Sequence, residues 1–119
     1  MVVRKNLSAA SLKLHGGYRA RVGIAVKFLD ATHDGLPSST ELSTLNELED
    51  ALALALEARQ DAIHVLTITT SGFREHVFYA KETVDIGARL CGVGSKFNRY
   101  ELQSYASEDA GWRVYGEFG

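Results

Sequence analysis

The chain has 119 residues, 45% hydrophobic and 24% charged, enough to bury one core without staples and too apolar for disorder as the main state. A net charge of −2 and a pI near 6.1 argue against a nucleic-acid or membrane-surface binder driven by bulk charge. The single cysteine, Cys91, excludes an intrachain disulfide and, lying in an apolar helical pattern, reads as a small buried hydrophobe.

Met1 to Gly17 is the least patterned part, with Leu7, Leu12 and Leu14 scattered among polar residues before the Gly16-Gly17 break. It reads as a mobile tail or a short edge strand. It lacks the apolar stretch and cleavage site of a secretory signal, and no apolar run nears the roughly 20 residues of a membrane span. The expected setting is therefore the cytoplasm.

Tyr18 to Leu29 is the first strand. Val22, Ile24, Val26 and Phe28 alternate with Arg21, Gly23, Ala25 and Lys27, giving one apolar and one mixed face. The loop Asp30–Pro37 carries a turn signal at Asp34-Gly35. Ser38 and Glu41 have capping-box spacing, and Leu42, Leu45, Leu48, Leu52, Ala55 and Leu56 then recur at helical spacing to about Arg59. The opposite face holds Glu47, Glu49, Asp50 and Glu57, which reads as a solvated acidic face or, less simply, a surface for a basic partner.

Ala62 to Thr70 is rich in β-branched residues, Ser71-Gly72 is a tight turn, and Phe73 to Ala80 returns antiparallel. Thr83 is the expected N-cap of a second helix, with Asp85 in its first turn and Ile86, Leu90, Val93 and Phe97 on its inner face. Gly87, Gly92 and Gly94 weaken that helix and suggest close approach to the sheet. Tyr100 to Ser107 is the last strand. In the tail, Trp112, Tyr115 and Phe118 recur every third residue, too apolar for a mobile end, so they are expected to dock on the domain or form a partner surface.

The order strand–helix–strand–strand–helix–strand predicts an α+β, ferredoxin-like βαββαβ sandwich: a four-stranded antiparallel sheet with two helices on one face, plus the aromatic tail. Residues 1–17 form the tail or edge strand and 18–119 the single domain. Arg21, Lys27, Glu101, Gln103 and Tyr105 are expected on the helix-free face. The alternation leaves open whether Arg74, His76 and Phe78 or Glu75, Val77 and Tyr79 join them.

The four histidines show no metal-ligand spacing, no serine has a nucleophile-elbow pattern, and no phosphate-binding glycine loop follows a strand. Asp34, Glu75 and Asp109 read as turn and surface ion-pair residues rather than acid–base groups. No catalytic residue, cofactor or metal is expected. RNA binding lacks both the basic residues and the aromatic-glycine motif. The candidate ligand- or partner-binding residues are Asp34, Arg74, Glu75, Trp112 and Tyr115. Arg74 offers a planar fork for a carboxylate.

The set D-G-L-P-S (Asp34–Ser38), T-T-S-G-F-R-E-H-V-F-Y (Thr69–Tyr79) and E-D-A-G-W-R-V-Y-G-E-F (Glu108–Phe118) resembles the bacterial family of unknown function DUF695. The resemblance covers about Tyr18 to Phe118 and departs at the N-terminus, where relatives carry a longer β-rich segment. Its recurrent positions match Asp34, Gly35, Leu36, Pro37, Gly72, Arg74, Glu75, Tyr79, Trp112, Tyr115 and Phe118. It implies association with domains like the regulator of ribonuclease activity B, hence the same fold and a regulatory role, and supplies no catalytic residues. The expected function is a non-catalytic binding or regulatory module acting through a protein partner or through self-association as a dimer. The alternatives are a small-ligand binder or enzyme with a pocket near Arg74, Glu75 and the tail, or an RNA-binding regulator.

Overall fold

The computed structural model describes residues 1–13, 17–82 and 84–118. In chain order these form β1 (Val2–Lys5), β2 (Tyr18–Lys27), α1 (Ser39–Leu56), β3 (Ala62–Thr70), β4 (Phe73–Lys81), α2 (Ile86–Lys96), β5 (Leu102–Glu108) and a short α3 (Arg113–Glu117). The sheet order is β1-β3-β4-β2-β5, with every neighbouring pair antiparallel. The sheet thus has five strands rather than the expected four. The fifth comes from the N-terminal segment: Val2–Lys5 pairs with Leu66–Thr69. A 3-10 turn at Leu7–Leu12 then buries Ala9. No helix is long and apolar enough to cross a membrane among the described residues.

The helix-bearing face is built as the alternation requires. Val22, Ile24, Val26 and Phe28 meet Leu45, Leu48, Leu52 and Leu56 of α1 and Leu90, Val93 and Phe97 of α2. Removing any of these leucines by Leu→Ala is worth roughly 2–5 kcal/mol. Leu42 stays 39% exposed, and Glu41 is buried in its place. Ser38 Oγ accepts the Glu41 N–H, but Glu41 does not complete a capping box. Its carboxylate instead accepts the N–H groups of Leu29 and Asp30 and the Tyr100 hydroxyl, tying the end of β2 and the entry to β5 onto α1.

Several local expectations are corrected. Asp85, not a residue of the first turn, is itself the N-cap of α2, accepting the Ala88 N–H; the expected cap Thr83 lies outside the described residues, as do Leu14, His15 and Gly16. Cys91 is exposed. Gly92 and Gly94 meet open space rather than the sheet, because the inner face of α2 is carried by Leu90 and Val93. The last strand begins at Leu102, since Tyr100 closes a turn onto Phe97. In the loop, Asp34-Gly35 does turn the chain: Gly35 has φ +80, and its carbonyl accepts the N–H of Gly72 in the β3–β4 hairpin.

The register decides the faces of β4. Phe78 pairs with Val22 and Arg74 with Val26, so Arg74, His76 and Phe78 lie under the helices. Glu75, Val77 and Tyr79 face the other way. There Val77 and Tyr79 join Ile63, Val65, Leu66 and Ile68 in a second core closed by Ala9, Trp112 and Tyr115.

Candidate functional site

The aromatic tail docks on its own sheet. Trp112 is fully buried, stacks on Tyr79 with ring centroids 4.4 Å apart, and donates from Nε1 to the Tyr18 carbonyl at 2.8 Å. The Tyr115 hydroxyl donates to the Asn6 carbonyl at 2.7 Å. Asp109 is buried rather than a surface partner. Its carboxylate accepts the Tyr79 hydroxyl at 2.7 Å and the N–H groups of Arg113 and Val114, which fixes the start of α3. Burial alone would raise the Asp109 pKa, but these three donors hold it below the ordinary value. Burial and the same bond push the Tyr79 phenol well up.

The five candidate residues do not converge. Asp34 is exposed beside His33. Arg74 is buried on the helix side, donating to Thr69 Oγ1 at 3.2 Å. Glu75 lies on the opposite face, accepting the Tyr105 hydroxyl at 2.5 Å. Burial and that carboxylate push the Tyr105 phenol up to about 12. Only Trp112 and Tyr115 meet, edge to face at 5.5 Å, and both are consumed by packing.

Two other places stand out. The first is the outer side of the sheet at β5. Among the described residues β5 pairs only with β2, and all its residues after Leu102 are exposed. Within it only the terminal Glu108 is charged; there is no proline and no register shift. The opposite edge, β1, is four residues long and carries Arg4 and Lys5, the usual guards against strand pairing. Beside β5, on the part of the helix-free face that the tail leaves uncovered, Ala25, Lys27, Phe73, Glu101 and Gln103 line a hollow of about 300 Å³.

The second is a polar cluster on the helix side of β3 and β4. Glu49 of α1 belongs to it. Its side chain is only 14% exposed, so it is not part of a solvated acidic face. Glu49 Oε2 pairs with Arg4, while Oε1 accepts the Thr67 hydroxyl at 2.9 Å and lies 3.4 Å from His76 Nδ1. His64 stacks on Phe78 and turns Nε2 to the Leu66 carbonyl at 3.0 Å and to Thr67 Oγ1 at 3.1 Å. His76 Nδ1 and Arg74 Nη1 are buried with no hydrogen-bond partner among the described residues. Burial drives both imidazoles toward the neutral form. Sequence spacing hid this group because a bulge between His64 and Leu66 brings His64 onto the face of Thr67 and His76. An unbroken strand would put His64 on the other side.

A family model described as a family of unknown function (DUF695) matches residues 1–118, including β1. No curated protein and no solved structure matches the chain.

Proposed function

The chain belongs to the family of unknown function DUF695, and we propose that it is a non-catalytic binding module that takes an extended segment of a partner protein along the open edge of β5. The observation that carries this reading is the contrast between the two sheet edges: β1 short and basic, β5 seven residues long with a single terminal charge. An unguarded edge offers a row of free N–H and C=O groups to an added strand. In strand addition the main chain supplies affinity and side-chain pockets supply specificity. The hollow beside Phe73 and Gln103 supplies such a pocket next to that edge. The polar side chains Gln103, Ser104 and Ser107 favour a specific partner over indiscriminate aggregation.

We also read β2–β5 with α1 and α2 as a ferredoxin-like unit extended by β1. Setting β1 aside leaves the order β3-β4-β2-β5 with both helices packed on one face. The regulatory role implied by the sequence resemblance, in a bacterial cytoplasm, is consistent with a module of this kind. A pocket joining Arg74, Glu75 and the tail is not favoured, since those residues lie on both sides of the sheet.

Proline substitution tests the edge. Of two adjacent residues in an edge strand, one points its N–H into the ladder and the other into solvent. Ser104→Pro and Tyr105→Pro are made singly, and the variant that keeps near-native stability is the probe. The native protein is expected to retain a partner in affinity capture, or to elute as a dimer if the partner is a second copy, and the probe variant to lose it. Capture that is unaffected by the probe variant, or no partner and a monomer throughout, rejects the reading.

A further inference from the structure

We propose that Glu49, His64 and His76 form a binding site for one divalent transition-metal ion of the borderline class that includes zinc, nickel and cobalt. One donor atom from each residue lies within 4.8 Å of the other two, close enough to share a single ion. The three come from rigid elements: Glu49 from α1, His64 from β3 and His76 from β4. Their positions are held by packing. His76 is 1% exposed, and His64 is stacked on Phe78 with centroids 4.6 Å apart.

The key observation is His76 Nδ1. It is buried, lies 3.4 Å from Glu49 Oε1 and has no hydrogen-bond partner among the described residues. Leaving a polar atom this way in a core is costly, so a native structure should give it something to bind. A metal ion at the meeting point of the three donors does so. It also accounts for the orientation of Glu49. Arg4 holds Oε2 from outside, leaving Oε1 turned to the imidazoles. A ligating carboxylate is commonly steadied in this manner by a neighbour that does not itself touch the ion.

The donor set decides the chemistry. Two imidazoles and one carboxylate suit zinc, nickel, cobalt or copper. Calcium and magnesium need more oxygen donors than the group offers. Arg4 and Arg74 raise the question of an anion instead. Glu49 answers it, because a carboxylate at the centre of the group repels an anion and attracts a cation. Binding takes the His64 tautomer protonated at Nδ1 and a turn of the ring that carries Nε2 from the Leu66 carbonyl, 3.0 Å away, toward Glu49 and His76. Entry is from the His64 side, where Arg4, Asn6, Glu57, His64 and Thr67 border a cavity of about 300 Å³. This site is on the helix side of β3 and does not depend on the strand-pairing role of β5.

The test uses the full chain, stripped with a chelator and titrated with ZnCl₂ by calorimetry, and with CoCl₂ by visible absorption. The expected result is one ion per chain, a visible Co²⁺ ligand-field band, a raised melting temperature with Zn²⁺ and no response to CaCl₂. His64→Gln and Glu49→Gln, each checked for native circular dichroism, should weaken Zn²⁺ at least tenfold. His33→Gln, at an exposed histidine in the Asp30–Pro37 loop, should leave binding unchanged. His76 is too deeply buried to serve as the sole test. No saturable Zn²⁺ binding up to 1 mM overturns the proposal. So does binding that survives both His64→Gln and Glu49→Gln, or binding lost with His33→Gln. Inorganic phosphate binding that Zn²⁺ does not enhance would equally overturn it, by showing an anion site on the arginines.

Discussion

At the scale of the residue, Glu41 shows how one side chain can be read correctly in place and wrongly in role. Its spacing from Ser38 marks a helix start, and Ser38 does cap the Glu41 N–H. The carboxylate, however, is drawn away to three donors that lie far off in sequence or just outside the helix: Leu29 N–H at 2.7 Å, Asp30 N–H at 2.8 Å and Tyr100 O–H at 2.7 Å. Burial opposes its ionisation, yet the donors win and hold its pKa below the ordinary value. A carboxylate with a depressed folded pKa binds its proton more weakly folded than unfolded. Its stabilisation is therefore complete above the unfolded pKa of about 4.3 and fades as pH falls through the folded value. Glu41→Gln should cost about 1–3 kcal/mol at pH 7, because a neutral amide replaces a carboxylate among three donors. Urea unfolding of both proteins across pH 3 to 7 checks this. The gap between them should narrow below about pH 4.3. A gap that is constant with pH would mean that the charge of Glu41 contributes nothing.

At the scale of the element, what was legible depended on whether an element's partners were local. The β3–β4 hairpin, the α1 stripe and the alternation of β2 all follow from near neighbours in sequence, and all appear within a few residues of their expected bounds. The bulge at His64–Leu66, the fifth strand and the docking site of the tail depend on segments far apart in the chain. Periodicity carries no trace of them, which is why Arg74 and Glu75 looked like one site and His64 and His76 like none. Cross-strand fit is a similar case. Tyr105 of β5 lies over Gly23 of β2, where a Cβ would run into the ring, and its hydroxyl reaches Glu75. Gly23→Ala should push the exposed ring aside, break its bond to Glu75 and destabilise the protein by about 0.5–1.5 kcal/mol. In a Tyr105→Ala background the same change should be neutral or mildly stabilising, since glycine within a strand is itself about 0.5–1 kcal/mol worse than alanine. A double-mutant cycle by denaturant unfolding measures the coupling. Equal penalties in both backgrounds would show that the ring contact is not the cause.

At the scale of the whole molecule, one sheet separates two apolar clusters, and the strands belong to both. Along β4, Phe78 and Ala80 enter the helix-side core while Val77 and Tyr79 enter the tail-side core. The tail-side core joins the two ends of the chain. Ala9 and the Asn6 carbonyl come from the N-terminal segment, and Trp112 and Tyr115 from the tail. Loss of either end exposes Tyr79 and Val77, and with them the strand on which the helices rest. The tail should thus behave as part of the core and not as an appendage, which places a measurable demand on unfolding. Trp112 is the only tryptophan, so its fluorescence reports the tail-side core, whereas far-ultraviolet circular dichroism is dominated by α1 and α2. In urea the two signals should fall at a single midpoint, the signature of one cooperative unit. Trp112→Ala, which removes the ring stacked on Tyr79 and the bond to the Tyr18 carbonyl, should lower stability by about 3–5 kcal/mol, read from circular dichroism alone. Tryptophan emission that shifts at lower urea than the helical signal would instead mean that the tail undocks first, leaving the helix-side core to stand without it.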